Sequence, residues 1–474
     1  MKLSAEQVVE ITGGVLRGGS PRRTASGIST DTRTLKPGRG FVALKGARFD
    51  GNRFIAEAVK KGAAWVVMER GARPGGFSGS TALIEVPDTL EALGFLAADH
   101  RRRFKLKVAA ITGSVGKSTT KEMAASLLGS LGKTLKNQGN FNNRVGLPLT
   151  LFKLDRSYDC AVLEMGCNQP GEIEKLAFIA RPEAGLITRI GPVHLEGLGS
   201  LEGVARAKSE LIRELGARSS FVLNLDDPLI VQKSRGFRGK VIAYSTRPEA
   251  RFQGRSFHLV GREKEVVAGR PAIRFSIQEK IAGRNRGRPV EFRLMTLSGH
   301  NVRNALAACA LASVLGVSLP AAAEALRSFK GLSGRGEVKK TRRGYFVIDD
   351  SYNASPPAVD DALETLLWWK GPRRGAVALG EMRELGRAAE KYHRELGRRI
   401  ALAGIELLVA TGELGGLVAA AAREAGMDKK SALAVRDNDR AAEILKRELK
   451  KGDWVLVKGS RATRMDEVAR ALME

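Results

Sequence analysis

Short apolar runs recur along the chain, and polar residues or glycines punctuate their carboxyl ends. Four occupy one stretch: "KVAAIT" (107–112), "CAVLEM" (160–165), "GLITRI" (185–190) and "SFVLNL" (220–225). Four more follow: "YFVIDD" (345–350), "GAVALG" (375–380), "ELLVAT" (406–411) and "DWVLVKG" (453–459). Helical patterns separate them. Near-continuous apolar runs of this length, alternating with helices, predict parallel strands buried on both faces. Ahead of them, "LKPGRGFVALKG" (35–46) reads as strand and turn, followed by a helix and the strand "AAWVVM" (63–68). The pattern predicts an α/β protein of three domains: 1–101, 102–331 and 332–474. The first is a small α/β domain, the second a parallel-sheet domain and the third a Rossmann-like one. Residues 247–297 are rich in Gly, Arg and polar alternation, and predict an antiparallel flap on the central domain.

Ligands of such sheets sit beyond the carboxyl ends of strands, so the polar residues that end the runs are the candidates. "TGSVGKST" (112–119) places two glycines, a lysine and a serine between a strand and a helix. Gly113 and Gly116 let backbone N–H groups turn inward, Lys117 supplies a point charge and Ser118 a hydroxyl for Mg²⁺. The usual phosphate loop begins with a glycine five residues upstream of the Gly-Lys pair, where this chain has Ile111. Glu164 ends its strand and reads either as a Mg²⁺ ligand or as a helix cap. His194 reads as a ligand or as a satisfied structural histidine.

A helix over 200–215 places Val204, Leu211, Ile212 and Leu215 on one stripe, and Lys208 falls on it. Such a lysine snorkels, pairs or loses its charge, and periodicity favours snorkelling. A neutral amine there can also take up CO₂ as a carbamate. Asn301 and Asn304 open an alanine-rich helix, as caps or as contacts to an adenine or ribose edge. Arg335 can clamp a phosphate and Asp350, at a strand end, can accept from a ribose hydroxyl.

Composition narrows the function classes. The net charge is +28, from 79 Lys+Arg against 51 Asp+Glu, but basic residues are scattered and aromatics are only 5%. A stacking platform for single-stranded nucleic acid is therefore not expected. The longest apolar runs fall short of the about 20 residues of a membrane helix. Cys160, Cys167 and Cys309 match no metal spacing, which points to a reducing, cytoplasmic setting.

Together these stretches resemble the Mur ligase family, ATP-dependent amide-forming enzymes of bacterial cell-wall synthesis, whose T-G-x-x-G-K-[ST] loop also lacks the first glycine. The likeness extends through "GNFNNRVGLPLTL" (140–152), "EMGCNQPGEI" (164–173), "HLEGLGSLEGVARAKSEL" (194–211), "GHNVRNALAA" (299–308), "IDDSYNASP" (348–356), "ALGEMRELG" (378–386) and "LVKGSRATRM" (456–465). It implies joining D-alanyl-D-alanine to UDP-N-acetylmuramoyl-tripeptide through an acyl phosphate, by a monomer. ATP would be held by Gly113, Ser114, Gly116, Lys117, Ser118, Thr119, Asn301, Asn304, Arg335 and Asp350. Two Mg²⁺ ions would be held by Ser118 and Glu164, and by His194 with Lys208 as its carbamate. The uridine nucleotide would meet Ser29, Thr30, Asp31 and Arg33 in "STDTRTLKPGRGFVALKGARFDGN" (29–52), and Asn140, Asn142 and Asn143 would contact substrate. Asn52, Arg144 and Ser355 depart from the family pattern, which has His, Glu and Asn there. The D-Y-A-H-T-P and D-N-P-R motifs of the ligase that adds the third amino acid are absent.

Overall fold

The computed structural model describes residues 1–46, 49–72 and 80–474; Ala47 and Arg48 of the stretch 29–52 lie outside the described residues. The chain forms two compact units. The first comprises Met1–Ala110, Leu131–Gly166 and Gly171–Glu183, and the second Ile111–Ser130, Cys167–Pro170 and Ala184–Glu474.

In the first unit a five-stranded sheet runs in the order Val15–Gly18, Ala82–Val86, Trp65–Glu69, Gly40–Val42, Ile28–Ser29. All pairs are parallel except Val15–Gly18 with Ala82–Val86. Strand side chains alternate between two faces, and each face has its own core. Val42, Trp65, Val67 and Ile84 pack with helices Ala5–Thr12 and Thr89–Arg102 on one. Phe41, Val66, Met68 and Leu83 pack with Ile55 and Ala58 on the other. Helix Ala5–Thr12 begins with a capping box, Ser4 and Gln7 each bonding the other's backbone N–H. Strands Thr134–Lys136 and Cys160–Glu164 pair in parallel in the same unit.

In the second unit, parallel strands Ala184–Ile187, Ser220–Asn224 and Lys240–Ser245 lead into the expected flap. The flap is three long antiparallel strands, Arg255–Val267, Arg270–Ile281 and Arg284–Leu294, and its first strand continues the sheet in parallel with Lys240–Ser245. A second sheet is ordered Glu337–Lys340, Phe346–Asp350, Trp454–Lys458, Gly375–Leu379, Leu407–Thr411, Ala432–Val435, parallel but for its first strand. The α/β class is as the apolar runs predict.

One expected helix is broken. The stretch 200–215 forms Leu201–Lys208 and Glu210–Glu214, separated by Ser209. The Ser209 hydroxyl donates back to the Ala205 carbonyl at 2.6 Å, a local bond that competes with the helix ladder.

Trp65 ties the first unit together. It is fully buried, its Nε1–H donates to the Leu3 carbonyl at 3.1 Å, and a Cβ at Gly40 would lie 2.2 Å from its ring. Trp65→Ala is expected to destabilise this unit by about 3–5 kcal/mol. The loss would be read as a lower urea midpoint for the transition of the N-terminal region.

Candidate functional site: a phosphate loop with its supporting residues

Ile111 is fully buried within strand Lys107–Thr112. Where the usual loop starts with glycine, this backbone is still extended, and the turn begins only at Gly113. Gly113 has φ 147°, and a Cβ there would fall 2.0 Å from Thr188 Oγ1. Gly116 has φ 86°, and its Cβ would fall 2.5 Å from Asn304 Oδ1. Only glycine meets both demands, positive φ and backbone approach. The loop is fastened on its far side too. Ser114 N–H donates to the Arg189 carbonyl at 2.7 Å, and Ser114 Oγ exchanges hydrogen bonds of 2.9 Å with the Gly191 backbone. Thr188 Oγ1 donates to the Val115 carbonyl at 2.6 Å.

Helix Lys117–Leu128 starts at Gly116 with no side-chain cap, so its first N–H groups and dipole face the loop. Lys117 Nζ donates to the Gly113 and Ser114 carbonyls at 2.7 and 3.3 Å, folded over the turn. Thr119 is buried in the first helical turn.

Asn301 and Asn304 are not caps; Ser298 holds that position of helix Gly299–Val314. Both are buried, with Asn304 Nδ2 donating to Asn301 Oδ1 at 3.1 Å and Asn301 Nδ2 to Thr296 Oγ1 at 2.8 Å. Asn304 thereby reaches Gly116 directly. Arg335 Nη2 donates to Ser118 Oγ at 3.2 Å, with its guanidinium 4.2 Å from the Tyr352 ring centroid. Asp350 is already engaged, receiving Lys458 Nζ at 2.5 Å in a buried ion pair.

His194 Nδ1 bonds Glu384 Oε2, and that bond holds the Glu384 carboxyl below its usual range. Lys208 does not snorkel. It is 1% exposed, its Nζ lies 3.9 Å from Cys167 Sγ, and burial pushes its amine well down from a lysine's ordinary range. The stripe that carries it faces the core, and no aqueous surface lies within its reach.

In the first unit Glu164 is 2% exposed at its strand end. Its Oε1 accepts from Asn142 Nδ2 at 2.8 Å, and Asn137 bonds its backbone N–H and carbonyl at 2.9 and 2.8 Å. Its Oε2 is buried without a hydrogen-bond partner. A buried carboxylate oxygen left open fits a hard cation. Asn143 Oδ1 accepts from the N–H groups of Val145 and Gly146, a local turn, while Asn140 is exposed. Asp31 caps the turn Thr32–Thr34 and pairs with Arg33 at 2.7 Å, which lowers its carboxyl. Ser29 is buried and Thr30 half-buried beside it. Asn52 bridges Asp50 and the Glu69 N–H, and Arg144 pairs with Glu91. Among the described residues no group of three or more His, Cys, Asp and Glu forms a metal cage.

The sequence reading passed over Thr188, Lys458, Tyr352 and Glu384. Thr188 directly follows its strand and Lys458 closes its own, so the rule of polar residues at strand ends covers both. Tyr352 and Glu384 lie in loops that give no such signal.

Lys208→Met is expected to raise the thermal midpoint at neutral pH, since it removes a buried amine. The folded-state pKa lies below the unfolded one, so the wild type gains stability as pH rises toward the unfolded value. The advantage of Lys208→Met should therefore shrink as pH rises toward a lysine's ordinary range, as calorimetry would show.

Three family models match in order: "Mur ligase family, catalytic domain" over 24–101, "Mur ligase middle domain" over 111–312 and "Mur ligase, glutamate ligase domain" over 334–461. The chain is 33% identical to UDP-N-acetylmuramoyl-tripeptide–D-alanyl-D-alanine ligase of Bacillus subtilis, over all of this chain and 99% of that protein. It is similar to the crystal structure of MurF from Acinetobacter baumannii, with TM-score 0.86, 30% identity, and 100% and 99% of the two chains covered. The MurF ligase of Thermotoga maritima in complex with ADP matches with TM-score 0.81 and 28% identity, over 94% of this chain and 96% of that one. With three family models matched in order and 33% identity along its whole length, the chain belongs to the Mur ligase family.

Proposed function

We propose that this protein joins D-alanyl-D-alanine to UDP-N-acetylmuramoyl-tripeptide at the expense of ATP, in the assembly of peptidoglycan precursors. Identity of 33% over full length to a ligase of that name supports the reading, as does the loop at Gly113–Ser118. Residues 1–101 are read as the nucleotide-sugar domain, 102–331 as the ATP-binding domain and 332–474 as the closing domain. Both nucleotides are cytoplasmic, and that is where we place the enzyme, as a monomer.

A carboxylate meeting an amine forms a salt, so the acid must be activated. The terminal carboxylate of the tripeptide attacks the γ-phosphorus of ATP, and ADP leaves. The free amine of the dipeptide attacks the resulting acyl phosphate, the tetrahedral intermediate expels phosphate, and the amine loses a proton. The protein's part is position and charge. Backbone N–H groups of 113–118 and the dipole of helix Lys117–Leu128 cradle the phosphates. Lys117 exchanges its two carbonyl partners for phosphate oxygens. Arg335, held over Tyr352 at Ser118, balances negative charge on the transferring group. Asn301 and Asn304 fix the loop from below and contact the nucleotide, and Asp350 accepts from its ribose while paired with Lys458. Ser29, Thr30, Asp31 and Arg33 bind the uridine nucleotide. Asn140 contacts substrate, whereas Asn142 orients Glu164 and Asn143 shapes its turn.

Mg²⁺, when bound, would neutralise phosphate charge. Ser118 Oγ, the open Oε2 of Glu164 and His194 are each candidate Mg²⁺ ligands. Lys208 is suited to carbamate formation, because burial favours the neutral amine that reacts with CO₂.

ADP release should require both the UDP-muramoyl-tripeptide and D-alanyl-D-alanine, with a pentapeptide product by mass spectrometry. DNA-stimulated release in their absence would contradict the reading. Arg335→Ala should lower kcat by about 10²–10³-fold with the thermal midpoint unchanged. Gly116→Ala should abolish nucleotide binding, whereas Gly236→Ala should not. Gly236 shares the positive φ (87°), but its Cβ would meet nothing within 4 Å.

A further inference from the structure

His194 and Glu384 are 190 residues apart, yet they meet as a matched pair. Both are non-glycine residues in left-handed backbone, at φ 51° and 64°. Glycine is the cheap residue for that conformation, so a side chain kept there argues that the side chain is needed. The two turns dock around the pair. Glu196 N–H donates to the Glu384 carbonyl at 3.3 Å, and a Cβ on Gly386 would lie 3.2 Å from Glu196 Cα. The loop carrying Glu384 is itself fixed. Met382 N–H donates to His393 Nε2 at 3.1 Å, and Arg383 N–H to Ser460 Oγ at 2.8 Å.

A carboxylate on Nδ1 decides what the other ring nitrogen can do. A carboxylate only accepts, so the ring meets Glu384 with Nδ1–H, and in that tautomer the lone pair lies on Nε2. We propose that Glu384 is a positioning residue: the C-terminal segment, by docking, selects the tautomer and orientation in which His194 Nε2 can hold a cation. The proposal rests on His194 being a cation ligand. It makes that ligand conditional on a residue of 332–474, so that the open enzyme lacks a finished site and ATP is not spent before closure. Docking does not itself depend on Glu384, because Asp361 separately receives Arg189 and Arg303 at 3.1 and 3.3 Å. The pair can therefore be broken with the segments still joined.

The chain has five histidines, few enough for ¹⁵N-imidazole spectra of the full-length protein, with His194→Asn supplying the assignment. Wild type should show His194 protonated on Nδ1. Glu384→Ala and Glu384→Gly should populate the Nε2–H form. They should also weaken Mn²⁺ binding, measured by paramagnetic resonance with a non-hydrolysable ATP analogue, by about 10–100-fold. Glu384→Gly relieves the left-handed backbone, so its thermal midpoint should not fall, which separates positioning from support of the fold. An unchanged tautomer or unchanged Mn²⁺ affinity in both variants overturns the proposal. If His194→Asn itself leaves Mn²⁺ affinity untouched, the ligand reading fails, and the proposal with it.

Discussion

The whole site depends on a turn with no room for side chains. Thr188 Oγ1 and Asn304 Oδ1 occupy the places where the Cβ atoms of Gly113 and Gly116 would be. Backbone N–H groups can then converge on one anion, which no arrangement of side chains achieves so compactly. The loss of the first glycine costs this loop nothing. Ile111 is a core strand residue, and the chain reaches Gly113 before it must turn. A side chain there serves packing where a longer loop would need freedom.

Around that turn, the second unit gathers residues from far apart in sequence. Arg335 reaches Ser118 from 217 positions away, and Lys458 neutralises Asp350 across 108. The first sets a guanidinium at the loop, and in the second each charge limits the cost of burying the other. Lys208 is the exception. It is buried beside a thiol rather than a carboxylate, and so is driven toward the neutral amine. That is costly for stability.

The strands were legible because apolar runs buried on both faces have few other readings, and all eight of the quoted runs became strands. The glycine–lysine–serine turn was legible for a similar reason, since its residue types have few other uses together. Failures came where tertiary context decides. Periodicity put Lys208 on the buried stripe but could not tell whether water lay within its reach. Position in the helix left two readings of Asn301 and Asn304 open, and the cap is the one excluded, since Ser298 precedes them and the packed helix turns both inward. Glu384 gave no signal, since its partner lies in a turn nearly two hundred residues earlier.

In the proposed reaction, phosphate is transferred to the tripeptide's carboxylate before the amide forms. A single measurement reaches it: synthesis from UDP-muramoyl-tripeptide labelled with ¹⁸O in the terminal carboxylate, followed by mass analysis of the released phosphate. An acyl phosphate requires one labelled oxygen to appear in phosphate for each amide formed. Phosphate without label, alongside a normal yield of pentapeptide, would contradict it.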